Sequence, residues 1–179
     1  MRTMTQGKEI GWYALRIFHN KTTQACAIAD KEQVEWYTPL REIEEVVAGR
    51  VVLREERVMP SLLFVRSTPE FIAKLKVATA DNILTYNEPG TNKPMVIDDE
   101  EMSKFMFVVR TSAKEVESID IDRLNLHDRV RISGGIFAGM EGYIARVHGT
   151  KRFVVRIEGI AAIATTYIPK QYIQKLTTL

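Results

Sequence analysis

At 179 residues, 45% of them hydrophobic, the chain is long enough for two small domains and too apolar to be disordered throughout. No apolar run is long enough to cross a bilayer, and the polar stretch Met1–Gly11 has no signal-peptide core; the single cysteine, Cys26, excludes an internal disulfide, so a reducing cytoplasm is the expected home, and a monomer with no membrane partner is expected. Net charge is only +2, yet residues 126–179 carry 8 basic and 3 acidic side chains against 15 and 16 in residues 1–110. Such a local surplus either meets phosphate or simply solvates a surface.

The first half alternates strand and helix. Trp12, Tyr13, Leu15, Ile17 and Phe18 predict a mostly buried strand. Asn20 is placed to cap a helix whose apolar face is Ala25, Ile28 and Ala29, with Cys26 as a small core residue inside it. Residues 34–40 read as a strand broken at Pro39, and residues 51–53 and 58–65 as further strands, with Gly49 at the turn before them. Thr68-Pro69-Glu70 is a helix start, and Phe71, Leu75 and Ala78 give its inward stripe. Residues 83–86 return as a strand, closed by Pro89-Gly90. Asp98 and Glu101 then precede Met102, Phe105, Met106 and Val109, a helical face. The order β-α-β-β-α-β plus a helix predicts a ferredoxin-like α+β domain: one antiparallel sheet with helices.

Residues 111–125 offer no continuous apolar face and read as a linker. Beyond them Val130 and Ile132 alternate with Arg129 and Arg131, and a glycine-rich turn from Gly134 to Gly142 leads into residues 143–147. Gly149 marks a hairpin turn, residues 153–157 alternate again, and Glu158-Gly159 turns once more. Short strands joined by glycine turns predict a small, strongly curved β-barrel of five strands. The residues 160, 163, 164 and 167 fit a helical stripe, but Gly139, Gly142 and Gly149 would each cost about 1 kcal/mol inside a helix, so the strand form is expected.

Catalysis is not expected. His19, His127 and His148 stand far apart, with no carboxylate or cysteine at metal-ligand spacing. The glycine-rich turn at 134–142 lacks the Lys-Ser/Thr of a phosphate loop and opens a strand instead of a helix. The acidic runs Glu44-Glu45, Glu55-Glu56 and Asp98 to Glu101 are typical of solvated faces and caps. No metal or cofactor is expected.

The order Val130-x-Ile132, Gly135, Gly139, Gly142, Ile144 and Val147 resembles the KOW motif of NusG-type factors and some ribosomal proteins. Trp12-Tyr13, Pro39, Gly49-Arg50 and the run Met59-Pro60-Ser61-Leu62-Leu63-Phe64-Val65 resemble, in that order, the NusG N-terminal (NGN) domain. Together they cover Trp12 to Leu176, so the chain resembles the NusG-type transcription elongation and antitermination factors. The resemblance implies an NGN domain at 1–110, a linker at 111–125 and an SH3-like KOW barrel at 126–179. A KOW barrel alone would also suit an RNA-binding or ribosome-associated protein, but such ribosomal proteins have no NGN domain.

Met59-Pro60-Ser61-Leu62 stands where housekeeping members have Phe-Pro-Gly-Tyr, and residues 41–53 resemble specialised RfaH- and UpxY-like paralogues in length. That implies a factor for particular operons, such as capsular polysaccharide loci. Ala73-Lys74-Leu75 replaces the His-Thr-Thr of RfaH-like members, so that contact does not carry over. The family's docking of RNA polymerase clamp helices implies a patch of Arg16, Met59, Leu62, Phe64 and Tyr86. Its contact with non-template DNA implies His19, Lys21 and Gln24, which equally suit an ordinary hydrophilic helix face. The KOW barrel implies a small-subunit ribosomal protein or termination factor as partner.

Overall fold

The computed structural model describes residues 10–120, 128–165 and 167–176. They form two compact units, one from Met1–Thr38 with Pro60–Asp99, the other from Pro39–Met59 with Glu100–Leu179. The class is α+β, with an NGN-type sheet and a KOW-type barrel.

In the first unit strands β1 (Gly11–Ile17), β2 (Glu35–Tyr37), β5 (Leu62–Ser67) and β6 (Ile83–Thr85) form an antiparallel sheet ordered β2-β5-β1-β6. Side chains alternate between its faces. Tyr13, Leu15, Ile17, Leu63, Val65 and Ile83 lie on one face, under helices α1 (Thr22–Lys31) and α2 (Pro69–Ala78). Ala25 and Cys26 of α1 and Ile72 and Leu75 of α2 close that core. Each large aliphatic side chain buried there contributes about 1.5–3 kcal/mol.

Local chemistry departs from the sequence expectations in places. Asn20 does not cap α1: His19 and Asn20 both take left-handed φ, 52° and 56°, and Lys21 holds the cap position without a side-chain bond. Asparagine tolerates that region well, and here this ability decides its role. The α2 stripe is turned by one residue, with Ile72 and Leu75 buried and Ala78 exposed. The expected strand over 58–65 begins only at Leu62, because Val58–Ser61 bend around Pro60.

In the second unit, strands β3 (Leu40–Val47) and β4 (Arg50–Arg57) pair only with each other, in an eight-residue register. Ala48 and Gly49, at φ 51° and 76°, supply the two positive angles of a hairpin turn whose twist matches the strands. Helix α3 (Asp99–Thr111) buries Met102, Phe105, Val108 and Val109. Within this unit the Phe107 ring meets that of Phe137 edge-on, with centroids 6.2 Å apart, and Glu42 N–H donates to the Ala113 carbonyl at 2.9 Å. These contacts group the hairpin and α3 with the C-terminal residues, a division the sequence boundaries did not draw.

Strand β7 (Glu117–Ile119) falls inside the stretch read as a linker. It pairs with β11 (Ala161–Ala164), Ile119 opposite Ala162 and Glu117 opposite Ala164. Residues 121–125, the remainder of that stretch, lie outside the described residues. Strands β8 (Asp128–Ile132), β9 (Glu141–Val147), β10 (Thr150–Ile157) and β12 (Ile173–Lys175) complete a six-stranded antiparallel sheet, ordered β12-β8-β9-β10-β11-β7. Five of these strands fall in 126–179, and the described part of 136–168 is strand and turn. Phe137 and Phe153, ring centroids 6.1 Å apart, fill the sheet's interior with Val130, Ile132 and Ile157. Ala145, Val154, Ala162 and Ala164 form a second, small-residue cluster.

Two of the KOW glycines show why the motif has no side chain there. At Gly142 a Cβ would meet the Val154 carbonyl at 2.5 Å and the Phe153 ring at 2.6 Å. Gly139 sits at φ 84°, and its N–H donates to the Ile132 carbonyl at 2.7 Å, closing the arch between β8 and β9. Gly135 opens the same arch at φ 79°.

Candidate functional site

The register of β1 with its neighbours builds the second face of the N-terminal sheet. Arg16 stands opposite Leu62 on one side and Leu84 on the other, and Ala14 stands opposite Phe64. Tyr86, just past β6, donates its N–H to the Ala14 carbonyl at 3.1 Å and so joins that second row. Leu62 and Phe64 are buried, at 4% and 0% exposure, and the Tyr37 ring lies 6.3 Å from that of Phe64. Both are core residues in this structure, and no partner helix can rest directly on them as they stand. Met59 and Tyr86 are half-buried, and Arg16 is exposed.

Leu84, 56% exposed beside Arg16, is a residue that sequence reasoning missed. The signal was available: in a strand reading Ile83-Leu84-Thr85, burial of Ile83 turns Leu84 to the other face. Arg16 has its guanidinium carbon 5.4 Å from the Phe18 ring centroid and no carboxylate partner among the described residues. Arg16, Leu84 and Tyr86 therefore form a surface of one cation and two large apolar side chains, with the buried row beneath its edge.

His19, Lys21 and Gln24 come together at the start of α1. His19 Nδ1 hydrogen-bonds Asn82 Oδ1 at 2.7 Å, and the Gln24 side-chain amide donates to the Ala78 carbonyl at 3.3 Å. Lys21, half-buried, makes no side-chain hydrogen bond or ion pair with any of the described residues. At the positions of the RfaH-type His-Thr-Thr, Leu75 is in the core and Lys74 Nζ pairs with Glu32 at 2.7 Å. That hydrogen bond is the main reason the Glu32 carboxyl titrates below its ordinary range.

Four arginines of the C-terminal residues are engaged in ion pairs. Glu141 accepts from Arg131 at 2.5 Å and Arg129 at 3.0 Å, and the Arg131 bond chiefly holds its carboxyl below the usual value. Glu117 of β7 takes Arg152 at 3.2 Å and His148 at 2.7 Å. Arg156 pairs with Glu158 at 2.6 Å and lies over the Tyr143 ring. Arg146 and Lys151 are exposed and make no ion pair with the described residues. Among the described residues no group of three or more His, Cys, Asp or Glu is placed to hold a metal ion.

These features define a class: an α+β protein of two units, with an antiparallel sheet packed by helices and a KOW-type barrel. The chain belongs to the NusG family: the family described as transcription termination factor nusG matches residues 11–106, more than half of its length. Its members are transcription factors that are not enzymes. The transcription termination/antitermination protein NusG of Borreliella burgdorferi is 28% identical over 149 residues, covering 77% of this chain and 78% of that protein. A solved structure of Thermotoga maritima NusG, described for its domain interaction, shares the fold with a TM-score of 0.52. That likeness covers 94% of this chain and 98% of that one at 15% identity.

Proposed function

We propose that the chain binds RNA polymerase through Arg16, Leu84 and Tyr86 and promotes processive transcription. The observation that carries this reading is the exposed end of a sheet face whose other end is closed: a cation with no carboxylate partner flanked by large apolar side chains. A helical hairpin such as the polymerase clamp helices suits that surface, burying Leu84 and Tyr86 while a helix carboxylate meets Arg16. Leu62 and Phe64 lie beside the patch on the same face of the sheet. Lys21, with His19 and Gln24 beside it, gives a weak and salt-sensitive contact to the non-template strand.

The Met59-Pro60-Ser61-Leu62 run and the long β3–β4 hairpin support a specialised, operon-specific role of the RfaH or UpxY kind, with capsular polysaccharide loci as one such target. The barrel recruits a second factor, a small-subunit ribosomal protein or termination factor; Ile136 and Tyr167, 64% and 54% exposed, suit that contact. The site of action is the cytoplasm, on the nucleoid. The N-terminal family match favours this reading over a ribosome-associated one.

The test is co-purification of the full chain with polymerase. Arg16→Glu with Leu84→Glu should abolish it with the melting temperature unchanged, and Lys21→Glu should weaken only DNA crosslinking in the assembled complex. Retention of polymerase by the double variant, or capture of ribosomal subunits instead, would overturn the reading.

A further inference from the structure

The β3–β4 hairpin has two faces of unlike character. Cross-strand partners share a face, and so do residues two apart along a strand. Val47, Glu45, Ile43 and Arg41 therefore share one face with Arg50, Val52, Arg54 and Glu56. Most of the charge on that face is paired within the ribbon, Arg41 to Glu56 at 2.6 Å and Arg54 to Glu45 at 2.6 Å. The other face holds Val46, Glu44, Glu42 and Leu40 with Val51, Leu53, Glu55 and Arg57.

That second face is arranged against its own stability. Val46, Val51 and Leu53 are 71%, 64% and 61% exposed, clustered at the tip. Behind them Glu42 stands directly opposite Glu55, and Glu44 is next to both. Among the described residues none of the three carboxylates has an ion pair, and the face's cation, Arg57, sits at the base with its Nε buried and without a hydrogen-bond partner there. Like charges directly opposite each other destabilise a ribbon, and exposed branched side chains add nothing to it. One face of the same ribbon solves this problem with two ion pairs, so the other is not forced by the backbone to leave it unsolved.

We infer that this face is a docking surface for a protein partner that presents an apolar depression rimmed by lysine or arginine. Val46, Val51 and Leu53 fill the depression, and Glu42, Glu44 and Glu55 meet the rim. The acidic band argues against nucleic acid as the occupant, because phosphates would be repelled by three carboxylates. The partner is a protein surface within the transcription complex, separate from the surface that meets Arg16 and Leu84. This assignment rests on the polymerase-binding reading.

The experiment uses purified RNA polymerase elongation complex and the full chain carrying a photo-crosslinking amino acid at Val51. Crosslinks should fall on a protein surface flanked by basic residues. Glu42→Lys, Glu44→Lys and Glu55→Lys together should weaken binding by about tenfold at low salt, and charge reversal of the basic rim should restore it. Val46→Ser, Val51→Ser and Leu53→Ser should weaken it at all salt concentrations, and circular dichroism should show the fold intact because these residues are exposed. Crosslinking to DNA with tighter binding of the lysine variant, crosslinking to a second copy of the chain, or unchanged binding of both triple variants would each overturn the assignment. In those three cases the unmodified chain still binds polymerase. If it does not, the polymerase reading itself has failed and this assignment falls with it.

Discussion

The exposed end of the N-terminal sheet and the basic barrel use charge in opposite ways. Arg16 lies in a segment of nearly balanced charge and has no carboxylate partner, whereas Arg129, Arg131, Arg152 and Arg156 lie in the most basic segment and all have one. Net charge by segment therefore does not say which individual cations are available, since Arg146 and Lys151 are exposed in the basic segment and Arg16 in the balanced one. In the barrel, the arginines fasten strands and turns: Glu141 joins β8 to β9, and Glu117 draws β7 to the β9–β10 turn. In the sheet, the single free guanidinium stands among large apolar side chains, the combination a protein partner can use.

The largest expected effect separates surface from core on that sheet face. Leu62→Glu with Phe64→Glu places two carboxylates in positions 4% and 0% exposed, and each buried unpaired charge costs about 4 kcal/mol or more. Thermal denaturation should show the N-terminal unit unfolded, with polymerase binding lost as a consequence. Arg16→Glu with Leu84→Glu should leave the melting curve unchanged while removing binding. If the Leu62 and Phe64 variant folds normally, the face is open and the comparison between its two ends collapses.

Much of this was legible in the sequence. The strands at Trp12 and Phe153 followed from β-branched and aromatic runs, and α3 from its i, i+3, i+4 spacing. The KOW arch followed from glycines whose roles, close approach at Gly142 and positive φ at Gly139, depend only on the absence of a Cβ. What escaped was decided by tertiary partners. Asn20 has the chemistry of a cap and of a left-handed turn, and the turn won. Glu117-Ser118-Ile119 is too short to announce a strand, and it forms one because β11 offers an edge. Leu62 and Phe64 alternate with Leu63 and Val65, but alternation cannot say whether a second apolar face is covered. The β3–β4 hairpin was half-read, because its glutamates broke the apolar pattern without breaking the ladder.

A middle-sized effect tests the barrel. Gly142→Ala puts a methyl group against the Val154 carbonyl and the Phe153 ring, and backbone cannot yield as a flexible side chain does. The expected loss is about 1–3 kcal/mol, read by denaturant titration. Gly149→Ala is the control for space alone: nothing lies within 4 Å of its Cβ, although its φ of 81° still carries strain. A Gly142 loss no larger than the Gly149 loss would mean that close packing does not hold the glycine in the motif.

The smallest effect sharpens the claim that the barrel's charges are inward-directed fasteners. The Glu141 carboxyl is held below its ordinary value of 4.5, first by the Arg131 hydrogen bond; partial desolvation opposes this, and the charges of Arg131 and Arg129 add to the lowering. A folded-state value below the unfolded one means that the folded form binds the proton less readily. The stabilisation is thus fully present above the ordinary carboxylate range and is lost as pH falls through the lowered value. The pair is solvent-exposed, so the change is small and shrinks with added salt. Melting temperature measured from pH 7 downwards should fall more steeply below 4.5 in the parent chain than in Glu141→Gln, which has nothing there to protonate. The substitution should also free Arg129 and Arg131, raising the salt-sensitive affinity for single-stranded nucleic acid. Parallel melting profiles with unchanged nucleic-acid binding would show that Glu141 restrains neither arginine, and the contrast between a neutralised barrel and an available Arg16 would have to be withdrawn.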